Sequence, residues 1–445
     1  MIRYVVYWAR MVACVLKGGR LYYTWMGSLL VLILLGAWSY SHDVVDGLIR
    51  TNMTDEVSWG IGIANFVFCV GLAASALLLI VPAYVYKRHD AKEVVLFGEL
   101  LAVVAVVLCL LFIITDIGRP ERLWHLFPGI GKLNWPSSML AWDVVVYTGY
   151  LIINLHIPGY LLYKQYLRQK PNPYFYLPFV FISMFWAVTH YTVTGFLLSG
   201  LGGRPFWASP ILAPRFLVSV GCTAPAVLLI ILTVVRRHTH FKVQESVFDY
   251  LKKVLRFSAP LNLFLLGCEL FSQFYSGART PAAHYLWVGL NGKHGLNPLI
   301  WTALALNLAT TLVWITPKFR KSHRVVIAAA ALTMLGIWLE KGVGLVIPAF
   351  IPTPLGEVVE YWPNLGEILV SVGLAALGAF VFTAIAKVTI AIQTGTLAVH
   401  GGEDSPRVPA APGSVPGGDR APVSFPPGSD RPPASVRTPE SEGVA

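Results

Sequence analysis

Charge is what this chain has least of. Only 13% of its 445 residues are Asp, Glu, Lys or Arg, against 56% hydrophobic residues, and one soluble core cannot hide that much apolar surface. Paired cysteines are also missing. The five cysteines (Cys14, Cys69, Cys109, Cys222, Cys268) are scattered with no C-x-x-C pair, which excludes an iron-sulfur or zinc framework held by this chain and gives no support for disulfides. Basic residues are not concentrated as a nucleic-acid surface would require: the net charge of +11 is spread in short clusters between apolar stretches, so its distribution is topological.

What is present is a series of long apolar runs, with a mean hydropathy of +0.63 for the whole chain. Runs of this kind match the roughly 20 residues needed to cross about 30 Å of hydrocarbon. They predict an all-α, polytopic membrane protein with about ten transmembrane helices, at 23–38, 59–86, 93–115, 138–163, 174–200, 211–236, 257–277, 297–317, 322–347 and 364–392. The first run resembles a signal peptide but is expected to be retained, because the residues after it, Ser39-Tyr40-Ser41-His42-Asp43, offer no small-residue cleavage site.

The charge pattern tests the count. Twenty basic residues fall in alternate connections on one side (Arg3 to Arg20, Lys87 to Lys92, Lys164 to Lys170, Arg236 to Arg256, Lys318 to Arg324), and seven on the other (Arg50, Arg119, Arg122, Lys132, Arg204, Arg279, Lys293). The positive-inside rule then places both termini in the cytoplasm and requires an even number of crossings. Residues 1–22 read as a cytoplasmic segment, 23–395 as the transmembrane domain with an amphipathic surface helix near 237–256, and 396–445 as a disordered tail, with ten prolines after Gly401.

A carboxylate inside a membrane costs about 2.5–3.5 kcal/mol on insertion scales, so each one calls for a partner or a polar cavity. Asp116 closes the third span and Asp143 lies in the fourth, both at the outer side, next to a loop carrying Arg119, Arg122 and Trp124. The loop's arginines and aromatics suit an anionic ligand or a partner protein, or equally a capped loop with snorkelling interfacial arginines; the two carboxylates suit a functional pocket, or equally a structural pair of Asp143 with Arg119. His190 lies in the fifth span within Thr189-His190-Tyr191-Thr192-Val193-Thr194, and a neutral imidazole offers both a donor and an acceptor to a carbonyl or hydroxyl. Glu99, Glu269 and Glu340, with Gln273, Arg215 and Lys341 nearby, supply either a proton relay or helix-to-helix ion pairs.

The stretches Ile117-Gly118-Arg119-Pro120-Glu121-Arg122-Leu123-Trp124, Pro136-Ser137-Ser138-Met139-Leu140-Ala141-Trp142-Asp143, Arg204-Pro205-Phe206-Trp207 with Leu212 to Leu217, Gly336 to Gly342, and Pro354-Leu355-Gly356-Glu357 resemble the NrfD-like family of membrane subunits. That family includes the polysulfide reductase anchor, and the closest likeness is to the DsrP-type subunit of a sulfite-reduction-associated electron transfer complex. The likeness covers roughly residues 20–395.

The resemblance implies two four-helix bundles plus extra helices in the cell inner membrane, and a quinone pocket near the outer surface with no haem or cluster bound by this chain. It also implies a periplasmic ferredoxin-like partner with 4Fe-4S clusters, together with cytochrome b, cytochrome c and heterodisulfide-reductase-like subunits. Carried over by position, Asp116, Arg119, Asp143 and His190 are quinone-pocket candidates, Asp143 and His190 the proton-handling pair, and Arg122, Trp124 and Arg204 docking candidates. Menaquinone or menaquinol is the expected substrate, in sulfur-compound metabolism. Two rivals remain. A cytochrome b would need His156 and His190 to share a haem although their depths differ, and a secondary transporter would use broken helices at Ala213-Pro214 and Ala224-Pro225.

Overall fold

A computed structural model describes residues 2–127, 129–275, 280–353 and 355–399. Arg279, Pro354 and the Pro-rich tail from His400 lie outside the described residues. The helices follow in order: α1 (Ile2–Leu16), α2 (Arg20–Asp46), α3 (Ile61–Ala73), α4 (Ser75–Ile80) running into a π-turn at Val81–Val85, α5 (His89–Asp116), α6 (Met139–Tyr166), α7 (Pro173–Ser199), α8 (Leu212–His238), α9 (Glu245–Tyr275), α10 (Pro281–Trp287), α11 (Asn297–Ile315), α12 (Pro317–Arg320), α13 (His323–Ile337), a π-turn at Trp338–Val343, α14 (Gly344–Val346) and α15 (Leu365–Gln393). Ten helical segments among the described residues are long and apolar enough to cross a membrane, the number the sequence predicts.

The spans pack as two four-helix bundles. The first consists of α3–α4, α5, α6 and α7; the second of α8, α9, α11 and α13 with its π-turn. Helices α2 and α15 pair with one another outside the bundles, and α15 lies against α5. Their contact is close because two glycines meet: a Cβ built on Gly36 would lie 2.8 Å from the Gly373 Cα, the small-residue device that lets helix backbones approach in lipid.

Contacts at the helix ends agree with the alternation. At one end Lys387 of α15 reaches the carbonyls of Val15 and Lys17, Ser246 bonds Asp90 and Gln244 bonds Glu93. We call this the basic face. At the opposite face Asn364 donates to the Arg50 carbonyl and Trp207 Nε1 donates to the Leu345 carbonyl at 2.8 Å.

Three features differ from the sequence reading. The N-terminal segment contains a helix, α1. No separate surface helix forms near 237–256: after a short turn, Glu245 starts α9, and Val247, Phe248, Leu251 and Leu255 are the buried side of its opening turns. At 31 residues and about 1.5 Å per residue, α9 is some 46 Å long and outruns the hydrocarbon. Finally, the second span is broken between α3 and α4 although it has neither proline nor glycine at the break itself.

Candidate functional site

Two buried polar clusters occupy the two bundles, each in the half nearer the opposite face. In the first bundle, α6 carries Asp143, Tyr147, Tyr150 and Asn154 at spacings i, i+4, i+7 and i+11, which align on one helix face. All four are at most 2% exposed. From α7, His190 and Thr194, both 0% exposed, face this stripe. The Thr194 hydroxyl lies 2.8 Å from the Tyr147 hydroxyl, 3.4 Å from Asp143 Oδ1 and 3.0 Å from the His190 carbonyl, so one hydroxyl ties the acid to the histidine's helix. The His190 ring stacks on Tyr150 at 4.8 Å and abuts Tyr191 and Tyr147 at 4.2 and 5.5 Å.

This cluster keeps unused hydrogen-bonding capacity. Asp143 Oδ2, both His190 ring nitrogens, Asn154 Oδ1 and both Glu99 carboxylate oxygens are buried without a partner of normal geometry. Orphaned buried polar atoms are costly, and here they come from α5, α6 and α7 of one bundle. The break in the second span belongs to the same place. The Tyr191 hydroxyl accepts from the Ala74 amide and donates to the Val70 carbonyl, filling the position of an ordinary helical bond. Tyr150 donates to the Ala73 carbonyl at 3.1 Å, and Thr223 of α8 lies 3.4 Å from the Gly71 carbonyl. A side chain inserted into the backbone ladder is a recognised cause of a kink, and both phenols at the break, Tyr150 and Tyr191, flank the His190 ring.

In the second bundle the π-turn turns both Glu340 and Lys341 inward. Glu340 accepts from Arg215 at 3.0 Å, Asn262 at 3.0 Å and Asn307 at 2.7 Å, and forms an ion pair with Lys341 at 2.9 Å. Arg215 also pairs with Glu269. Two cations and two anions balance, with Glu269 and Glu340 both in helix-to-helix ion pairs.

The remaining candidates separate. Asp116 does not join Asp143 and His190; it lines a cavity of about 30 Å³ with Asp43 and Glu367, between α2, α3, α5 and α15. Arg119 is exposed, and its ion pair is with Glu121 at 3.6 Å rather than with Asp143. Arg122 and Trp124 are exposed on the same loop. Arg204 is half-buried, its guanidinium 4.2 Å over the Phe350 ring, and loss of water there lowers its pKa from the ordinary arginine value. It edges a cleft of about 340 Å³ walled by Trp59, Trp207 and Phe350 and floored by the turn Gly200–Gly203, within the usual size range of ligand pockets. His156 is half-buried on α6 and its ring contacts Phe175, which lies about 22 Å along α7 from His190, so the two histidines cannot ligate one haem.

Sequence reasoning missed Tyr147, Tyr150, Asn154 and Thr194. The i, i+4, i+7, i+11 spacing from Asp143 was the available signal for the α6 residues.

Ten membrane-length helices among the described residues, eight of them in two bundles that each enclose a buried polar cluster, define a multi-pass integral membrane protein that holds ionisable groups inside the bilayer. The family model described as polysulphide reductase, NrfD, matches residues 50–351. The chain belongs to the NrfD family. It is 23% identical over 363 residues to the Hdr-like menaquinol oxidoreductase integral membrane subunit of Archaeoglobus fulgidus, covering 78% of this chain and 88% of that protein. It is 22% identical over 377 residues to the menaquinone reductase integral membrane subunit of Nitratidesulfovibrio vulgaris (81% and 89% covered). It is 23% identical over 410 residues to a selenate reductase subunit of Mesobacillus selenatarsenatis (82% and 92%).

Proposed function

We propose that this chain is the quinone-interacting membrane subunit of a respiratory redox complex, exchanging electrons between menaquinone or menaquinol and a periplasmic 4Fe-4S ferredoxin-like partner. The observation that carries the reading is the Asp143–Thr194–His190 cluster with its unpaired Asp143 Oδ2 and His190 ring nitrogens. Quinone turnover moves two electrons and two protons, and it needs titratable groups held against the ring oxygens, with geometry deciding before proton affinity does. His190 supplies a donor or an acceptor to one oxygen, and Asp143 takes or gives the proton at the other. Asn154 and Glu99, deeper in the same bundle, continue the path for protons, whereas Glu269 and Glu340 are held in ion pairs.

Both reacting side chains are closed off from solvent, so the head group enters by parting the outer turns of α6 and α7. The aromatic cleft at Gly200–Gly203 lies about 10 Å beyond Thr194 along α7 and forms the vestibule. With both termini in the cytoplasm, as the basic clusters favour, the vestibule and the Arg122–Trp124 loop face the periplasm of the inner membrane, where the iron-sulfur partner docks. The likeness to the DsrP-type subunit favours sulfur-compound respiration as the setting.

The test is co-purification of the tagged chain with its partners from native membranes, followed by quinol-driven reduction of their clusters. Asp143→Asn is expected to lower turnover by roughly 10²-fold or more with the complex still assembled. Normal turnover would remove Asp143 from the mechanism, and a lone, colourless, quinone-indifferent chain that moves a solute would support a transporter instead.

A further inference from the structure

We propose that α1 is a fixed membrane-surface helix that binds anionic phospholipid headgroups at the basic face, a role that does not depend on the quinone reading. At about 100° per residue its side chains sort into three rows. Tyr7, Met11 and Cys14 face the protein: Tyr7 is 4% exposed, and its ring packs on Tyr163 at 5.1 Å and Tyr166 at 4.9 Å, at the end of α6. Val5, Trp8, Val12 and Leu16 form a second row, 50–67% exposed, with nothing among the described residues burying them. Arg3 and Arg10, with Lys17 one residue past the last turn, form the third row. All three are exposed, and none makes an ion pair among the described residues.

The apolar and basic rows are roughly 155° apart round the axis. That is the cross-section of a helix lying in the plane of the interface, apolar side in the acyl chains and cationic side among headgroups. At 15 residues α1 is too short to span. It is also held in one orientation: Tyr22 donates to the Val15 carbonyl at 2.8 Å and Tyr23 to the Leu16 carbonyl at 2.7 Å. Lys387 from α15 adds a positive charge at the same carbonyl end, the favourable pole of the helix dipole for a cation. The occupant is set by charge complementarity. A row of unpaired cations beside an apolar row matches an anionic lipid leaflet, and Lys164, Arg168 and Lys170 at the neighbouring end of α6 extend the same field.

The experiment uses the full chain in lipid nanodiscs containing phosphatidylcholine and phosphatidylglycerol. Native mass spectrometry counts retained phosphatidylglycerol for the wild type and for the triple variant Arg3→Gln, Arg10→Gln, Lys17→Gln. Each lost charge is expected to weaken retention roughly fivefold. In parallel, the Trp8 component of the fluorescence, taken as the difference from Trp8→Phe, is expected to be quenched by lipids brominated near the headgroup end of the acyl chain. Equal headgroup preference in wild type and variant would overturn the proposal. So would a Trp8 shielded from brominated lipid, which would mean that a protein partner or a second copy covers this face.

Discussion

Tyr191 and Asp143 lie within one cluster and illustrate opposite kinds of residue. The Tyr191 hydroxyl satisfies two backbone groups that the break in the second span leaves apart, the Ala74 amide and the Val70 carbonyl. Replacing it with Phe removes no ring contact but orphans both groups. An unsatisfied buried backbone group costs about 1–3 kcal/mol, so Tyr191→Phe should lower the thermal denaturation midpoint of the purified complex. Partial relief through re-closure of the helix would show as slower amide exchange near Ala74. Asp143 makes one long bond, 3.4 Å from Thr194, and leaves its other oxygen free. Asp143→Asn should therefore leave the midpoint nearly unchanged while quinone turnover falls. Were the two variants to behave alike in both assays, the division between a structural phenol and a reacting carboxylate would be wrong.

At the scale of elements, the π-turn at Trp338–Val343 is a packing solution with a charge problem inside it. Extra backbone width places Glu340 and Lys341 on the same interior side, and the second bundle answers with Arg215, Glu269, Asn262 and Asn307. Removing one member leaves an uncompensated buried charge: Arg215→Met should destabilise by about 3–5 kcal/mol, measured by denaturant or thermal unfolding in detergent. The double replacement Arg215→Met with Glu269→Leu should recover much of that loss, because the remaining Glu340–Lys341 pair is neutral.

The number of spans was legible in the sequence because hydropathy and basic-cluster alternation are independent signals that agree. Helix ends and interruptions were not. The start of α9 hides behind Lys252, Lys253 and Arg256, since a helix that outruns the bilayer becomes polar without ceasing to be a helix. The break at Ala74 is caused by a phenol 117 residues away in sequence, so no local pattern announces it. Asp143 and His190 could be picked out because a polar group in a span is costly wherever it sits. The family resemblance groups Asp116 and Arg119 with them, yet α5 turns Asp116 toward α2 and α15 instead.

For the molecule as a whole, the direction of the chain through the membrane decides what the chemistry accomplishes. Trp338 at the start of the π-turn donates to Asn65 of α3 at 2.8 Å, and a Cβ on Gly342 would meet the Ala64 carbonyl oxygen at 2.8 Å. The two bundles thus share α3, and their polar clusters lie toward the same face. If that face is periplasmic, the protons that the proposed quinol oxidation releases at Asp143 leave on the outside; if it is cytoplasmic, they leave on the inside. The positive-inside rule favours the first, with twenty basic residues against seven. Single cysteines introduced at Arg122 and Lys293 should react with an impermeant maleimide on intact cells, while cysteines at Lys87 and Lys321 should react only after permeabilisation. A reversed pattern would invert the orientation and with it the proton argument, and a mixed pattern would break the even count of crossings on which both faces are defined.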